Sequence, residues 1–320
     1  MSPYTPALLP RNTAFSLDLP TLQFAWDSTS MGALKRCPRY YQYSIIEGWA
    51  PRAESVHLVF GLHYHAALEF YYRQQVEGVD HESAVRAVVR RTLEATWDRK
   101  LSRPWFSDHK QKNRETLLRS IVWYLDQFKH DPMTTVTLAN GKPAVELTFK
   151  FTTSYTAMTG EPILWCGHLD RLVSYNDDFL TMDHKTTTSA VDEWFFQKFS
   201  PDNQFSGYIY AGKVIYNTPL KGIVVNGVQI GVNFSRFQRQ IVMRHDAVLD
   251  EWYVGLGTFF KQAEDYALAN YWPMNEMSCG NYGGCAFRDV CSKPPSIRQT
   301  WLKADFTRRV WDPLVAREGV

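Results

Sequence analysis

The chain has 320 residues, 45% of them hydrophobic and 21% charged, with a formal net charge of +2 at pH 7. That length suffices for one large domain or two modest ones with ample core, and with an ordinary hydrophobic share no disorder is expected outside the termini. So small a net charge neither demands nor excludes a nucleic-acid partner. The first twenty residues contain no apolar h-region and no later run is long enough to span a bilayer. No membrane association is therefore expected, and the location expected is cytoplasmic, or the host cytoplasm for a viral chain. In that compartment the five cysteines are not expected to be disulfide staples.

In chain order, residues 1–27 read as an extended arm. A helical pattern over 28–43 follows, with Ser28 to Ser30 supplying its cap. Further helical patterns cover 60–77, 82–97 and 112–128. A strand-rich block then runs over 144–151, 163–175 and 179–185, and a helix over 203–216 interrupts it. Segments 223–233 and 236–244 read as a second hairpin, 246–270 as a helix, and the tail is rich in Gly and Cys before a last short helix. This order implies an α/β core with an antiparallel part, decorated by a helical N-terminal region. The boundaries expected are 1–27 for the arm, 28–135 for the helical region, 136–270 for the core and 271–320 for the cysteine-bearing segment, all in one compact unit. Between Arg86 and Arg119 ten Lys or Arg face four Asp or Glu. That excess suits a phosphate-tracking surface and equally an ordinary solvated helical face.

Asn176-Asp177 reads as a two-residue hairpin turn between β-rich runs. Tyr175 then pairs with Asp178, which sets Asp170 directly across from Asp183. Alternation brings Lys185 onto the same face and turns His184 to the other. Two facing carboxylates repel and need a cation or a shared proton; a surface hairpin with ordinary charges is the alternative. On the helix beginning near Gly61, His65 and Glu69 share a face and His63 lies on another. Gln204 and Tyr208 likewise stand one turn apart. Cys279, Cys285 and Cys291 fall at equal intervals in a glycine-containing loop and read as metal ligands, with Cys37 as a distant fourth thiolate. Such a set suits a [4Fe–4S] cluster or structural zinc. Cys166, beside Gly167 in a strand, reads as core. Residues 207–214 nearly spell a P-loop, but Val214 stands where Ser or Thr must hold magnesium, so ATP binding is not expected.

Taken in series, these motifs resemble the RecB-like branch of the PD-(D/E)xK nuclease superfamily. The resemblance is to its cysteine-cluster exonucleases, as in CRISPR systems, AddB-type subunits and phages, and it runs from about Ser28 to Cys291. Cys37-Pro38-Arg39 resembles the first cluster cysteine with its following residues. Gly61 with His65 resembles the Gly-x-x-x-His helix, and Glu146 the acidic residue of the first core strand. Asp170 with Asp183-His184-Lys185 resembles the motif that names the superfamily, with His184 where tyrosine is commoner. Gln204 and Tyr208 resemble the Gln-x-x-x-Tyr motif, and Cys279, Cys285 and Cys291 the C-terminal cluster ligands, at a longer Cys279–Cys285 interval than many members show.

The resemblance implies a restriction-endonuclease-like core, with a central mixed sheet flanked by helices and a cysteine-cluster clasp. It implies a Mg²⁺- or Mn²⁺-dependent DNA exonuclease acting on single strands or free ends in recombination, repair or phage DNA metabolism. The alternatives are a structure-specific endonuclease, or a nuclease-fold DNA-binding subunit of a recombination or CRISPR adaptation complex. His65, Asp170, Asp183 and the His184 carbonyl are the implied metal ligands, and Asp170, Asp183, Lys185, Gln204 and Tyr208 the implied catalytic set, with Glu146 auxiliary and His168 a weaker candidate. Cys37, Cys279, Cys285 and Cys291 would hold [4Fe–4S], zinc being the alternative. A helicase, recombinase or single-strand-binding protein is the partner expected.

Overall fold

The computed structural model describes residues 13–215 and 220–315. The elements that matter for the sites are β1 (Ala25–Trp26), α1 (Ser28–Arg36), α2 (Val56–Val76), α3 (His81–Ala95), α4 (Arg114–Gln127), β2 (Val145–Thr156), β3 (Pro162–Tyr175), β4 (Asp178–Thr187), α5 (Asn203–Ile215), β5 (Leu220–Ile230), β6 (Ser235–Val242), α6 (Asp246–Ala269) and α7 (Arg298–Asp305). They form a mixed sheet with flanking helices, the α/β architecture expected. The chain divides into two units, one of Glu54–Phe149 with His168–His245, the other of residues 13–53 with Lys150–Gly167 and residues 246–315. Strands β2 and β3 contribute residues to both. No described helix is long and apolar enough to cross a membrane.

In the first of these units, β4 lies antiparallel to β3 and parallel to β5, and β6 returns antiparallel along β5. The parallel β4–β5 pair requires a crossover, and α5 supplies it. β5 is buried along nearly its whole length, which explains its almost unbroken apolar run. Helix α2 buries Phe60, Tyr64, Leu68, Tyr71 and Tyr72, a stripe at three- and four-residue spacing. The stripe packs with Ala84 and Val88 of α3, with Leu117, Ile121 and Tyr124 of α4, and with Val228 and Ile230 of β5. Asn113 and Thr116 close a reciprocal capping box at the start of α4. The partly buried Asp131 pairs with Arg239 at 2.9 Å and with Arg171 at 3.8 Å.

In the other unit β1 runs parallel to the start of β3, with Ala25 opposite Leu164. Trp26 stacks on Tyr41 at 5.5 Å, and Tyr41 meets Trp272 at 5.1 Å. Residues 1–12 of the expected arm lie outside the described residues; Ala14, Phe15, Leu22, Ala25 and Trp26 are buried. The single helix expected over 28–43 is interrupted. α1 stops at Arg36, Cys37 is extended with φ −169°, and a short helical turn restarts at Pro38. A residue before proline avoids the helical region, and that steric rule outweighs the apolar pattern here.

Candidate active site

Asn176 and Asp177 both take left-handed backbone, with φ of 49° and 63°, the conformation of a type I′ hairpin. Across it Tyr175 pairs with Asp178 and Arg171 with Met182. One step further along that register, Asp170 faces Asp183. On the other side of β3, Leu172 N–H donates to the Ala144 carbonyl at 2.8 Å, and Thr148 Oγ1 lies 3.0 Å from His168 Nδ1. These contacts bracket Glu146 against Asp170. Glu146 sits at φ 51°, a left-handed conformation that costs a side-chain-bearing residue about 1 kcal/mol. Strain of that kind is retained where the surroundings fix it, commonly at functional sites.

Helix α2 brings His65 to the same place. Its Nδ1 lies 3.1 Å from Asp170 Oδ2, and its Nε2 lies 2.7 Å from the His184 carbonyl oxygen. The His184 N–H donates to Asp170 Oδ2 at 3.2 Å. Donor atoms of His65, Glu146 and Asp170 lie within 4.8 Å of one another, a set able to hold a metal ion. A hard carboxylate pair with one imidazole suits Mg²⁺ or Mn²⁺, and the imidazole favours the latter. Glu146, auxiliary by sequence, thus stands among the potential ligands. Asp183 is turned along a different line of contacts.

That line links the remaining motif residues. Lys185 Nζ lies 2.8 Å from Asp183 Oδ2 and donates to Gln204 Oε1 at 2.9 Å, and Gln204 Nε2 donates to the Tyr208 hydroxyl at 2.7 Å. Gln204 and Tyr208 meet because they are one turn apart on α5. Tyr208 is buried against Phe149, so it orients Gln204 rather than meeting solvent. The ring of His184 lies on the opposite face, as alternation requires. Asn226 Nδ2 is 2.6 Å from its Nδ1, with Tyr72 and Tyr124 beside it.

Electrostatics follow from this packing. Burial and the neighbouring Asp170 push Asp183, 1% exposed, up to about 6, although Lys185 opposes them. Burial works against charge on His65, but Asp170 overrides it and raises the imidazole to about 9. Asp170 is driven below the usual carboxylate range, its burial outweighed by His65, His184 and Lys185. Burial holds the His184 ring neutral. The centre therefore carries shared protons between acids and a base, the arrangement that a divalent cation replaces.

Other expected residues sit elsewhere. Glu69 is taken by Arg73 at 2.8 Å and His63 packs on Trp105. Cys166 is buried core. Residues 207–214 lie inside α5 and form no phosphate loop. Cys37, Cys279, Cys285 and Cys291 all belong to the other unit. There Asn275 N–H donates to Cys37 Sγ at 3.3 Å, Cys285 N–H donates to the Cys279 carbonyl at 2.9 Å, and Cys285 and Cys291 border the Phe287–Leu302–Phe306 cluster.

Two contributors escaped the sequence. Lys112, only 2% exposed, donates from Nζ to Thr186 Oγ1 at 3.0 Å, beside the motif lysine. Nothing in a basic stretch marks one lysine as buried. Asn226 supports the His184 ring, and its signal was present: an amide inside the apolar run of β5.

The family model of the PD-(D/E)XK nuclease superfamily matches residues 28–292. Among solved structures the chain is similar to a "Putative exonuclease" from Eubacterium rectale, with a TM-score of 0.51 at 12% identity, over 92% of this chain and 98% of that one. A second structure, of SSO0001, aligns with a TM-score of 0.28 at 11% identity, over 56% of this chain and 76% of that one. No curated protein matches the chain in sequence. The family match takes in the hairpin, the motif lysine and the helix that orients it, on a fold shared with the Eubacterium rectale protein, and the chain belongs to the PD-(D/E)XK nuclease superfamily.

Proposed function

We propose that this nuclease is a Mg²⁺- or Mn²⁺-dependent DNA exonuclease acting on single strands or free ends. The observation that carries the reading is the Asp183–Lys185–Gln204–Tyr208 line of contacts beside the His65, Glu146 and Asp170 donor set. His65, Asp170, Glu146 and the His184 carbonyl would hold the ion, with Asp183 available once Lys185 shifts toward substrate. When bound, the ion supplies Lewis-acid charge for a phosphodiester and lowers the pKa of coordinated water. The chain's own groups do the rest. Lys185 is held by Asp183 and Gln204 on the face of the carboxylates, where its ammonium can donate to a non-bridging phosphate oxygen or orient the attacking water. Gln204 fixes that ammonium, and Tyr208 fixes Gln204.

The reading extends to the cysteines: Cys37, Cys279, Cys285 and Cys291 hold a structural [4Fe–4S] cluster, with zinc as the alternative metal. Burial pushes the Cys291 thiol up to about 11, Arg39 and Arg298 oppose the rise, and Cys285 and Cys37 add to it. Cys291 thus feels two of the other sulfurs, a repulsion that a shared cation would relieve.

The experiment is digestion of end-labelled linear and of circular single-stranded DNA with Mn²⁺, Mg²⁺ or EDTA. Expected are metal-dependent loss of the linear strand and survival of the circle; cutting of the circle would make the enzyme an endonuclease. Asp183→Asn and Lys185→Ala should each lower the rate at least a hundredfold while keeping the wild-type circular dichroism spectrum. Full activity in either would overturn the site.

A further inference from the structure

Between β4 and α5 the chain makes a short helix, Glu193–Gln197, capped by Asp192. Phe195, Phe196 and Phe199 are buried beneath it, while Trp194 is 78% exposed. Among the described residues Trp194 has no ring, cation or hydrogen-bond partner. It is more exposed than Trp97, Trp123 and Trp301, at 46, 44 and 37%. One turn further on stands Lys198, which no described carboxylate pairs. Its Nζ sits 4.0 Å from the Phe195 ring centre and 5.1 Å from that of Phe199. Phe199 stacks on Phe205 at 5.2 Å, and Lys185 Nζ lies 5.8 Å from the Phe205 ring centre. The stacked pair therefore touches both cations, the motif lysine through Phe205 and Lys198 through Phe199. Arg244 fixes the mount by donating to the Phe199 carbonyl and, at 3.2 Å, to Ser200 Oγ. Burial and the charge of Lys185 lower Lys198 from its usual value, consistent with two cations sharing one field. The acids on the helix are otherwise engaged: Asp192 caps it, and Glu193 accepts from Gln197.

We propose that Trp194 and Lys198 form a platform for single-stranded DNA, the indole stacking on an unpaired base and the ammonium binding a backbone phosphate next to the one attacked. The chemistry favours a single strand because an indole needs a base whose face is free, and in a duplex both faces are already stacked. The inference deepens the exonuclease reading and rests on it for the position of the scissile phosphate.

The test measures anisotropy of a fluorescein-labelled single-stranded oligodeoxynucleotide, and of the matching blunt duplex, with the full chain carrying Asp183→Asn. Adding Trp194→Ala should weaken single-strand binding about tenfold and duplex binding far less, and Trp194→Phe should restore most of the loss. Adding Lys198→Ala should flatten the salt dependence of single-strand binding by about 0.7 in log–log slope, with Lys198→Arg restoring it. Binding unchanged by Trp194→Ala, or lost equally for both substrates, overturns the platform, and it does so even if the wild type digests DNA as proposed. A wild type that cleaves no DNA overturns the exonuclease reading, while a selective single-strand loss in Trp194→Ala would still support the platform.

Discussion

Lys112 shows how much one buried residue can contribute unseen. Burial lowers its ammonium to about 8, against about 10.4 in an unfolded chain. Between those values the unfolded state binds more protons, so this residue's contribution to stability improves as pH rises from about 8 to about 10.4. Below pH 8 the full penalty applies, about 3 kcal/mol from the difference of the two values. Lys112→Met abolishes that titration but also strips Thr186 of its donor. The stability difference, Lys112→Met minus wild type, should therefore be most favourable at pH 7 and fall by about 2–3 kcal/mol by pH 10. Urea unfolding of both proteins at the two pH values reads it, because other groups titrate alike in each. A pH-independent difference would mean that the lysine is not held in a dry site. Asp170, Asp183 and Lys185 were legible because a two-residue turn fixes strand register over the next few residues. Lys112 was not, because it belongs to a run of cations whose individual burial is decided by the tertiary contact with Thr186. Glu146 lies between: its strand was evident, its left-handed backbone was not.

At the scale of elements, the crossover from β4 to β5 determines where the motif lysine stands. Lys185 lies opposite Gly227 in the parallel register, and a Cβ at Gly227 would come within 2.5 Å of Val191 Cγ1 and 2.9 Å of Phe195 Cε1. The glycine is what lets the phenylalanine-rich turn settle onto β5. Gly227→Ala should thus destabilise by about 1–3 kcal/mol and slow cleavage as well, since the displaced turn carries the aromatic mount of Lys185. Gly255, inside α6, has no neighbour within 4 Å of its would-be Cβ. Gly255→Ala should stabilise by about 1 kcal/mol and leave cleavage untouched. Denaturant melts with rates on the same samples compare the two; equal effects would remove the steric argument. The long helices were readable from period, and the first hairpin from period together with its two-residue turn. The break in the first helix was carried by Pro38, a local rule that competes with the apolar pattern and wins.

Over the whole chain, one long reach in sequence is between the segment of Cys37 and that of the three cysteines near the C-terminus, all within one unit. Ordinary hydrogen bonds already bring these segments together. Asn275 Nδ2 and Ser278 Oγ donate to the Arg36 carbonyl at 2.9 and 2.7 Å, and Arg39 N–H donates to the Pro273 carbonyl at 3.0 Å. The first two satisfy the Arg36 carbonyl at the end of α1, which the helix itself leaves open. These hydrogen bonds hold together the segments that carry the four cysteines, of which Cys37 is buried and Cys279, Cys285 and Cys291 are partly exposed. If a cluster occupies them, its binding free energy adds to folding. Cys285→Ser should then purify with little iron or zinc and melt well below wild type, whereas Asp183→Asn should keep the wild-type metal content and melting temperature. Metal analysis and visible absorption of the two variants, alongside thermal melts, separate the clasp from the catalytic centre. A Cys285→Ser protein that keeps its melting temperature, from a wild type that carries neither metal, would show that the hydrogen bonds hold this end of the chain by themselves.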